Sequence, residues 1–341
     1  MKNIIAATLM TILISFSFYQ VNLDSDSDFE RWALKHGKHY FGDEKKYRQA
    51  IYFQNKQMIE EHNKRSEFTF LMGENQFMAI TNEEFVSLYL NPISPEKQNE
   101  QDQIIRKTNP KSPEPIREYN LKDDVDWRGY APVKNSGNCG SSWAMAATNV
   151  IEAAYAIDKG IKVTLSAQNV MDCANSWGGC DASLADFSDP KNAYGHARNR
   201  GILTESEYPY TGRGDDWCQQ TGFAPWRIMS YAQNSDDIDY MRGFLQMLTE
   251  HPLSVKVDAT NWQFYSSGVF SLCSSIYKKA NYYALAIGYV WEANQQQNWQ
   301  QIWRVQASFG ISWGEFGTIR LAPGNTCGVI NEGIRVYLWG G

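Results

Sequence analysis

Six cysteines, all lying between positions 139 and 327, restrict the folding of this chain more than any other feature. They are Cys139, Cys173, Cys180, Cys218, Cys273 and Cys327. An even number of thiols in an exported chain reads as a disulfide framework, and the start of the sequence fits export. Lys2 leads into an apolar run from Ile4 to about Phe18, followed by Gln20 and the acidic Asp24, Asp26 and Asp28. That run is short for a bilayer span and has the layout of a secretory signal peptide, assigned to residues 1–20, so no membrane association is expected after its cleavage. An uncleaved signal anchor is the competing reading. For the cysteines the competitor is zinc, but no two of them form a C-x-x-C pair and no histidines complete a ligand set, so neither metal nor cofactor is expected.

The chain has 341 residues, 43% of them hydrophobic, which allows one large core or two moderate ones. A net charge of -6, without basic clusters interleaved with aromatics, argues against nucleic-acid partners. Three stretches then differ in composition. Residues 21–90 are charged and helix-prone, with Ala50, Phe53, Met58 and Ile59 spaced for an amphipathic helix. Residues 91–118 carry Pro92, Pro95, Pro110, Pro113 and Pro115 and read as an extended, protease-sensitive linker. Residues 119–341 hold all six cysteines and eleven of the twelve tryptophans, so the main core is expected there.

In that last stretch Trp143, Ala146, Ala147, Val150, Ile151 and Ala154 predict a helix from Ser142 to Ile157. Strand-like runs follow at Leu253–Val257, Ala284–Tyr289, Ile302–Val305, Gly317–Leu321 and Ile334–Leu338. A helical half followed by a β-rich half predicts an α+β protein of two lobes with a cleft between them. The glutamine-rich insert Asn294–Gln301 reads as a solvated hairpin loop.

The segment Gly137-Asn138-Cys139-Gly140-Ser141-Ser142-Trp143, ahead of a long apolar helix, resembles the active-site segment of papain-family, cathepsin L-like cysteine peptidases. Upstream, Glu44, Arg48, Tyr52, Asn55, Ile59 and Asn63 fall at the spacings of that family's inhibitory propeptide helix, and Gly73, Asn75 and Phe77 match the short motif after it. The Asp that ends this motif in the family is Ala79 here. Downstream, Val125-Asp126-Trp127-Arg128, Glu207-Tyr208-Pro209-Tyr210 and Trp313-Gly314-Glu315-Phe316-Gly317 match in order. The resemblance implies a papain-like fold, a helical lobe plus a β-barrel-like lobe, preceded by a helical inhibitory propeptide domain. It also implies three bridges, Cys139 with Cys180, Cys173 with Cys218 and Cys273 with Cys327; six cysteines by themselves allow fifteen pairings.

Peptide cleavage in this family needs a thiolate beside an imidazolium, which lowers the thiol pKa and later protonates the leaving amine. At the nucleophile position stands Ser142, and at the base position, six residues before Gly288, stands Tyr282. A phenol with an ordinary pKa of about 10 is a poor base near neutrality. No histidine occurs after His251; His36, His39 and His62 lie in the propeptide region, and His196 and His251 read as surface or loop residues. The orienting amide is replaced by Ala307, in Ala307-Ser308-Phe309-Gly310, and the oxyanion glutamine by Ser136. Ser141, Trp143, Asp181, Ala182, Ser183 and Phe309 are the expected groove residues, with Ser183 standing where the family's glycine lets a substrate backbone approach.

No position is therefore predicted to be catalytically functional, and a secreted pseudo-peptidase is expected in the exterior or in a lysosome, vacuole or granule lumen. Its expected partners are its own propeptide in the groove, peptides, peptidase inhibitors or active relatives. The alternatives are an endopeptidase that uses Ser142, with Tyr282 or Asn281 as base, and a storage or structural protein of a secretory compartment.

Overall fold

The computed structural model describes residues 27–90, 124–174, 179–180, 189–214, 217–234, 240–276, 279–293 and 297–340. The expected signal peptide, the linker and the groove positions Asp181, Ala182 and Ser183 lie outside the described residues.

The N-terminal segment begins with helix α1 at 27–35 and the long helix α2, Gly42–Asn63. The buried residues of α2 form one narrow stripe, Ile51, Tyr52, Ile59 and His62, whereas Ala50 and Met58, expected on the apolar face, are exposed. Tyr52 packs against Phe29 and Trp32 of α1, with ring centroids 5.6 and 5.4 Å apart. Polar side chains of α2 hold the turn that follows: Arg48 donates to both carboxylate oxygens of Glu84 and to the Ala79 carbonyl, and Asn55 donates to the Met78 and Ile80 carbonyls. Thr81 and Glu84 form a reciprocal capping box that starts α3, Asn82–Tyr89.

The following domain is built around α4, Ser142–Asp158, and the strand β6, Tyr282–Ala293. Every residue of α4 from Ser142 to Ala154 is buried, the polar Thr148 and Glu152 among them bonding to Lys134. It packs with α5, Ala167–Ala174, and α6, Pro190–Asn199, whose start is set by Asp189 accepting the Lys191 N–H and by Pro190 in the first turn. β6 separates two cores. Its alternate side chains Tyr282, Ala284 and Ala286 enter the β-rich core, while Tyr283, Leu285 and Ile287 enter the helical one, the period-two consequence of a strand buried on both faces.

The expected α+β class and papain-like fold are what the chain adopts. The remaining strands are β1, Phe70–Met72; β2, Val125–Asp126; β3, Ser230–Gln233; β4, Leu253–Val257; β5, Tyr265–Phe270; β7, Trp299–Gln306; β8, Thr318–Leu321; and β9, Gly333–Tyr337. They run in the order β1-β5-β8-β7-β6-β4-β9-β3, with β2 on β6, and only β5 and β8 pair in parallel among them. β1, β2, β3 and β5 are not among the expected strands, because Tyr265-Ser-Ser-Gly-Val-Phe270 lacks alternation and β1 and β2 are three and two residues long. Of the glutamine-rich insert, residues 294–296 lie outside the described residues; Trp299 pairs with Ala293 and Gln301 is buried, so the end of the insert belongs to the sheet rather than to a solvated loop.

The disulfides join Cys139 to Cys180, Cys173 to Cys218 and Cys273 to Cys327. The expected surface histidines are instead buried. His196, on α6, bonds to Gln220 at 3.0 Å, and burial lowers its pKa below the ordinary imidazole value. His251 lies between Asp158 at 2.8 Å and Arg335 at 3.0 Å. Both make structural bonds. Among the described residues no helix is long and apolar enough to cross a membrane, and no three His, Cys, Asp or Glu side chains converge on a metal site.

Candidate functional site

Three chain segments meet at the head of α4. The first contributes Ser142, at the N-terminus of the helix and fully buried, whose Oγ accepts the backbone N–H of Tyr283 at 3.3 Å. The second is the start of β6. The fully buried Tyr282 extends its phenol to the backbone N–H of Ser308, accepting at 2.8 Å. Burial raises the Tyr282 pKa well above the ordinary tyrosine value, so the phenol keeps its proton. The third is the loop after β7, where Ala307 is buried and Phe309 lies 4.8 Å from the Tyr282 ring.

The loop before α4 runs alongside. Ser136 donates its backbone N–H to the Ser308 carbonyl at 2.9 Å, and its short side chain reaches no further than its neighbour Gly137, at 3.5 Å. Tyr210 donates its hydroxyl to the Ser136 carbonyl at 2.8 Å, so the 2.8 Å contact between Tyr210 and Ser141 must carry the serine proton, a phenol having only one. Ser141 is fully buried in this arrangement, and Trp143 is fully buried in the helical core. Ser136, Ser142, Tyr282, Ala307 and Phe309 are therefore brought together, while the remaining groove positions, 181–183, are outside the described residues.

The N-terminal segment covers this corner. Phe77 and Phe85 pack on Phe309 with ring centroids 5.5 and 5.6 Å apart, and Gln76 donates to the Phe309 carbonyl at 2.7 Å. Both phenylalanines are fully buried, each contributing about 1.5–3 kcal/mol by the area removed from water. Asn75 donates to the Gln263 carbonyl at 2.7 Å, Asn82 to the Thr260 carbonyl at 2.9 Å, and Tyr89 to Asn138. β1 adds to the edge of β5 in antiparallel register. Of the residues expected from the helix motif, Arg48 and Asn55 brace the covering turn, and Asn63 exchanges two hydrogen bonds with Met72 of β1. Tyr52 donates to Glu74 at 2.7 Å, next to Gly73, which sits against Ser266 with no space for a Cβ. Gln76, Asn82, Phe85 and Tyr89 were not singled out from sequence, since their partners lie far along the chain and no local motif marks them.

Comparison with known proteins agrees with this architecture. Residues 121–337 match the family described as papain family cysteine protease, and residues 29–85 match the cathepsin propeptide inhibitor domain (I29). Putative cathepsin L 3 of Paramecium tetraurelia is 39% identical over 341 residues, which span 99% of this chain and 100% of that protein. Fruit bromelain of Ananas comosus is 32% identical over 316 residues, 88% of this chain and 83% of that protein. Among solved structures, a recombinant stem bromelain precursor superimposes with a TM-score of 0.76 at 29% identity, covering 93% of this chain and all (100%) of that one. Digestive procathepsin L 3 from the larval midgut of Tenebrio molitor gives 0.75 at 28%, covering 92% and 99%. This chain thus belongs to the papain family, is cathepsin L-like, and carries the family's propeptide inhibitor domain at its N-terminus.

Proposed function

We propose that this protein is a non-catalytic member of its family, a pseudo-peptidase that acts by binding peptides, peptidase inhibitors or other proteins. The observation that carries the reading is the state of Tyr282. For Ser142 to act as a nucleophile, a group beside it must take its proton. Tyr282 holds the family's base position, yet its oxygen already accepts the Ser308 N–H and burial keeps the phenol protonated. Ala307, at the orienting position, has no polar side chain to offer. Ser136 replaces the oxyanion glutamine with a side chain that stays on its own loop. All six cysteines are bridged, so no thiol substitutes for the missing one.

The proposed organisation is a signal peptide at 1–20, an inhibitory propeptide domain at 21–90, a processing linker at 91–118 and the papain-like domain at 119–341. The bridges and the apolar N-terminal run support passage through an oxidising secretory route to the exterior or to a lysosome, vacuole or granule lumen.

The test is turnover of a mixed fluorogenic peptide library from acidic to mildly alkaline pH, after an added protease has removed the propeptide. No turnover is expected. Turnover that Ser142→Ala abolishes would overturn the reading in favour of a serine endopeptidase. Retention of the domain on an immobilised family inhibitor or peptide is expected of a groove binder, and its absence would point to a storage or structural role of the outer surface.

A further inference from the structure

A second concave site lies at the other end of α4. The helix runs for 17 residues, which at about 1.5 Å per residue places its tail about 25 Å from the corner at its head. At the tail a cavity of about 440 Å³ is lined by Tyr155, Lys159, Pro225, Arg227, Leu338 and Trp339, none of them in the N-terminal segment. Sites for small organic ligands have volumes of roughly 300–1,000 Å³, with mostly apolar walls and a few polar groups.

Hydrogen bonds fix the walls. The Tyr155 hydroxyl donates to the Arg227 carbonyl at 2.8 Å and accepts the Arg227 N–H at 3.1 Å, which ties the loop carrying Pro225 and Arg227 to the helix. Trp226 packs edge to face on Tyr155 with ring centroids 5.0 Å apart. On the other side the Met229 N–H donates to the Tyr337 carbonyl at 2.8 Å, and the Lys159 ammonium donates to the Gly340 carbonyl at 2.6 Å, so the chain is held on both sides of Leu338 and Trp339. Leu338 is buried, whereas Trp339 is 63% exposed and available to a ligand.

The charge around the cavity has one sign. None of the six lining residues is acidic, and Asp158, next to Lys159, bonds to His251 at 2.8 Å. The last carbonyls of α4 carry a partial negative charge, which Lys159 offsets. Arg227 supplies the net positive charge. Its Nε and Nη2 donate to the Arg198 carbonyl at 3.3 and 2.8 Å, and its guanidinium lies 5.6 Å from the Phe223 ring. These described partners are a carbonyl and an aromatic ring, and they leave Nη1 with its two N–H groups for an incoming acceptor. One net cation among apolar walls suits a monoanion, because a second negative charge would be desolvated without a partner.

We propose that this cavity binds a carboxylate carried on a bulky apolar group, with the carboxylate on Arg227 and the apolar group against Tyr155, Leu338 and Trp339. Two sources share that chemistry, a free aromatic acid and the C-terminal residue of a peptide. The site is separate from the corner at Ser142, so its occupation requires neither catalysis nor removal of the N-terminal segment.

The experiment titrates N-acetyl-phenylalanine into the full chain with 15N-labelled tryptophans, using N-acetyl-phenylalanine amide as the uncharged control. The Trp339 indole signal is identified by its loss in Trp339→Phe. A saturable shift of that signal is expected, with a Kd of about 1 mM or below for a ligand of this size. The amide should bind at least about tenfold more weakly, and Arg227→Gln should bring the acid down to the affinity of the amide. Because Arg227 also holds the loop, unchanged signals from the other tryptophans are required of that variant, and raising NaCl from about 0.05 to 0.5 M on the parent chain gives an independent reading that should weaken the acid and not the amide. Equal affinities for acid and amide at low salt, or no shift at about 20 mM acid, overturn the proposal, as does acid binding that survives Arg227→Gln. A tripeptide ending in phenylalanine separates the two sources: affinity equal to or above that of the acid assigns the site to peptide C-termini, and weaker binding assigns it to free acids.

Discussion

The phenol of Tyr282 accepts the backbone N–H of Ser308 at 2.8 Å, tying the first residue of β6 to the loop that leaves β7. Ala307, immediately before that amide, contributes only a methyl group, so no side chain competes with the phenol for the space. The residues at 282, 307 and 309 form one packing unit, and they have to be considered together.

This coupling predicts how activity is regained. A Ser142→Cys variant stays silent, because its thiol lacks an imidazolium partner. Ser142→Cys/Tyr282→His/Ala307→Asn is expected to cleave fluorogenic peptides once the propeptide has been proteolysed. Its kcat/KM should exceed that of Ser142→Cys by at least about 10³-fold, the scale on which triad members act as a set. Equal rates for the two variants would separate the corner from catalysis altogether.

Tyr282→Phe keeps the ring and removes the acceptor of a buried N–H. An unsatisfied buried donor costs about 1–3 kcal/mol, so the urea midpoint should fall by that equivalent with an unchanged m-value. An unchanged midpoint would mean that Ser308 has found another acceptor.

Stability should also decline on the alkaline side. Burial raises the pKa values of Tyr282, Tyr194 and Tyr265, and it pushes Tyr89 and Tyr210 up to about 12. In the unfolded chain these phenols titrate near 10, so above that pH the unfolded state holds fewer protons than the native one and unfolding is favoured. The contribution is complete below about pH 10 and is lost as pH rises through the native values. Urea midpoints measured from pH 8 to pH 11, read beside phenolate absorbance, should be level at first and then drop as the buried phenols ionise on unfolding.

Lys134 carries a structural charge. Its ammonium bonds to Glu152 at 2.8 Å, Thr148 at 2.6 Å and the Leu165 carbonyl at 3.0 Å, with the Glu152 side chain fully buried. Burial raises the Glu152 pKa and Lys134 opposes that shift. Lys134→Met should cost about 3–5 kcal/mol by leaving a buried carboxylate uncompensated, while Lys134→Met/Glu152→Leu should recover most of the loss. Chemical denaturation of the three proteins checks both statements, and a single variant as stable as the parent would refute the first.

Much of the molecule was legible before any coordinate. Hydrophobic periodicity placed α4 and the strands β4, β6, β7, β8 and β9, because burial on one or both faces of a regular element writes itself into residues a few positions apart. The run around Ser142, with the changes at Tyr282, Ala307 and Ser136, pointed to the fold and to the corner where those residues meet. Strand β5, with its irregular Tyr265–Phe270 sequence, was invisible in the same terms, since what makes it a strand is its pairing with β1 and β8, both distant in sequence. His196 and His251 were read as surface residues because the partners that bury them, Gln220, Asp158 and Arg335, are distant in sequence.

The sequence by itself determined the order of segments, the elements with regular burial and the absence of a histidine near position 282. Only the tertiary structure decided that the Tyr282 phenol is bonded to Ser308, and that the N-terminal segment rests on neutral groups and a shared aromatic core. Asn75 meets Gln263 across 188 residues and Gln76 meets Phe309 across 233. A local pattern reports which face of an element is apolar, but the chemistry of a docking surface exists only after two distant segments have been brought into contact.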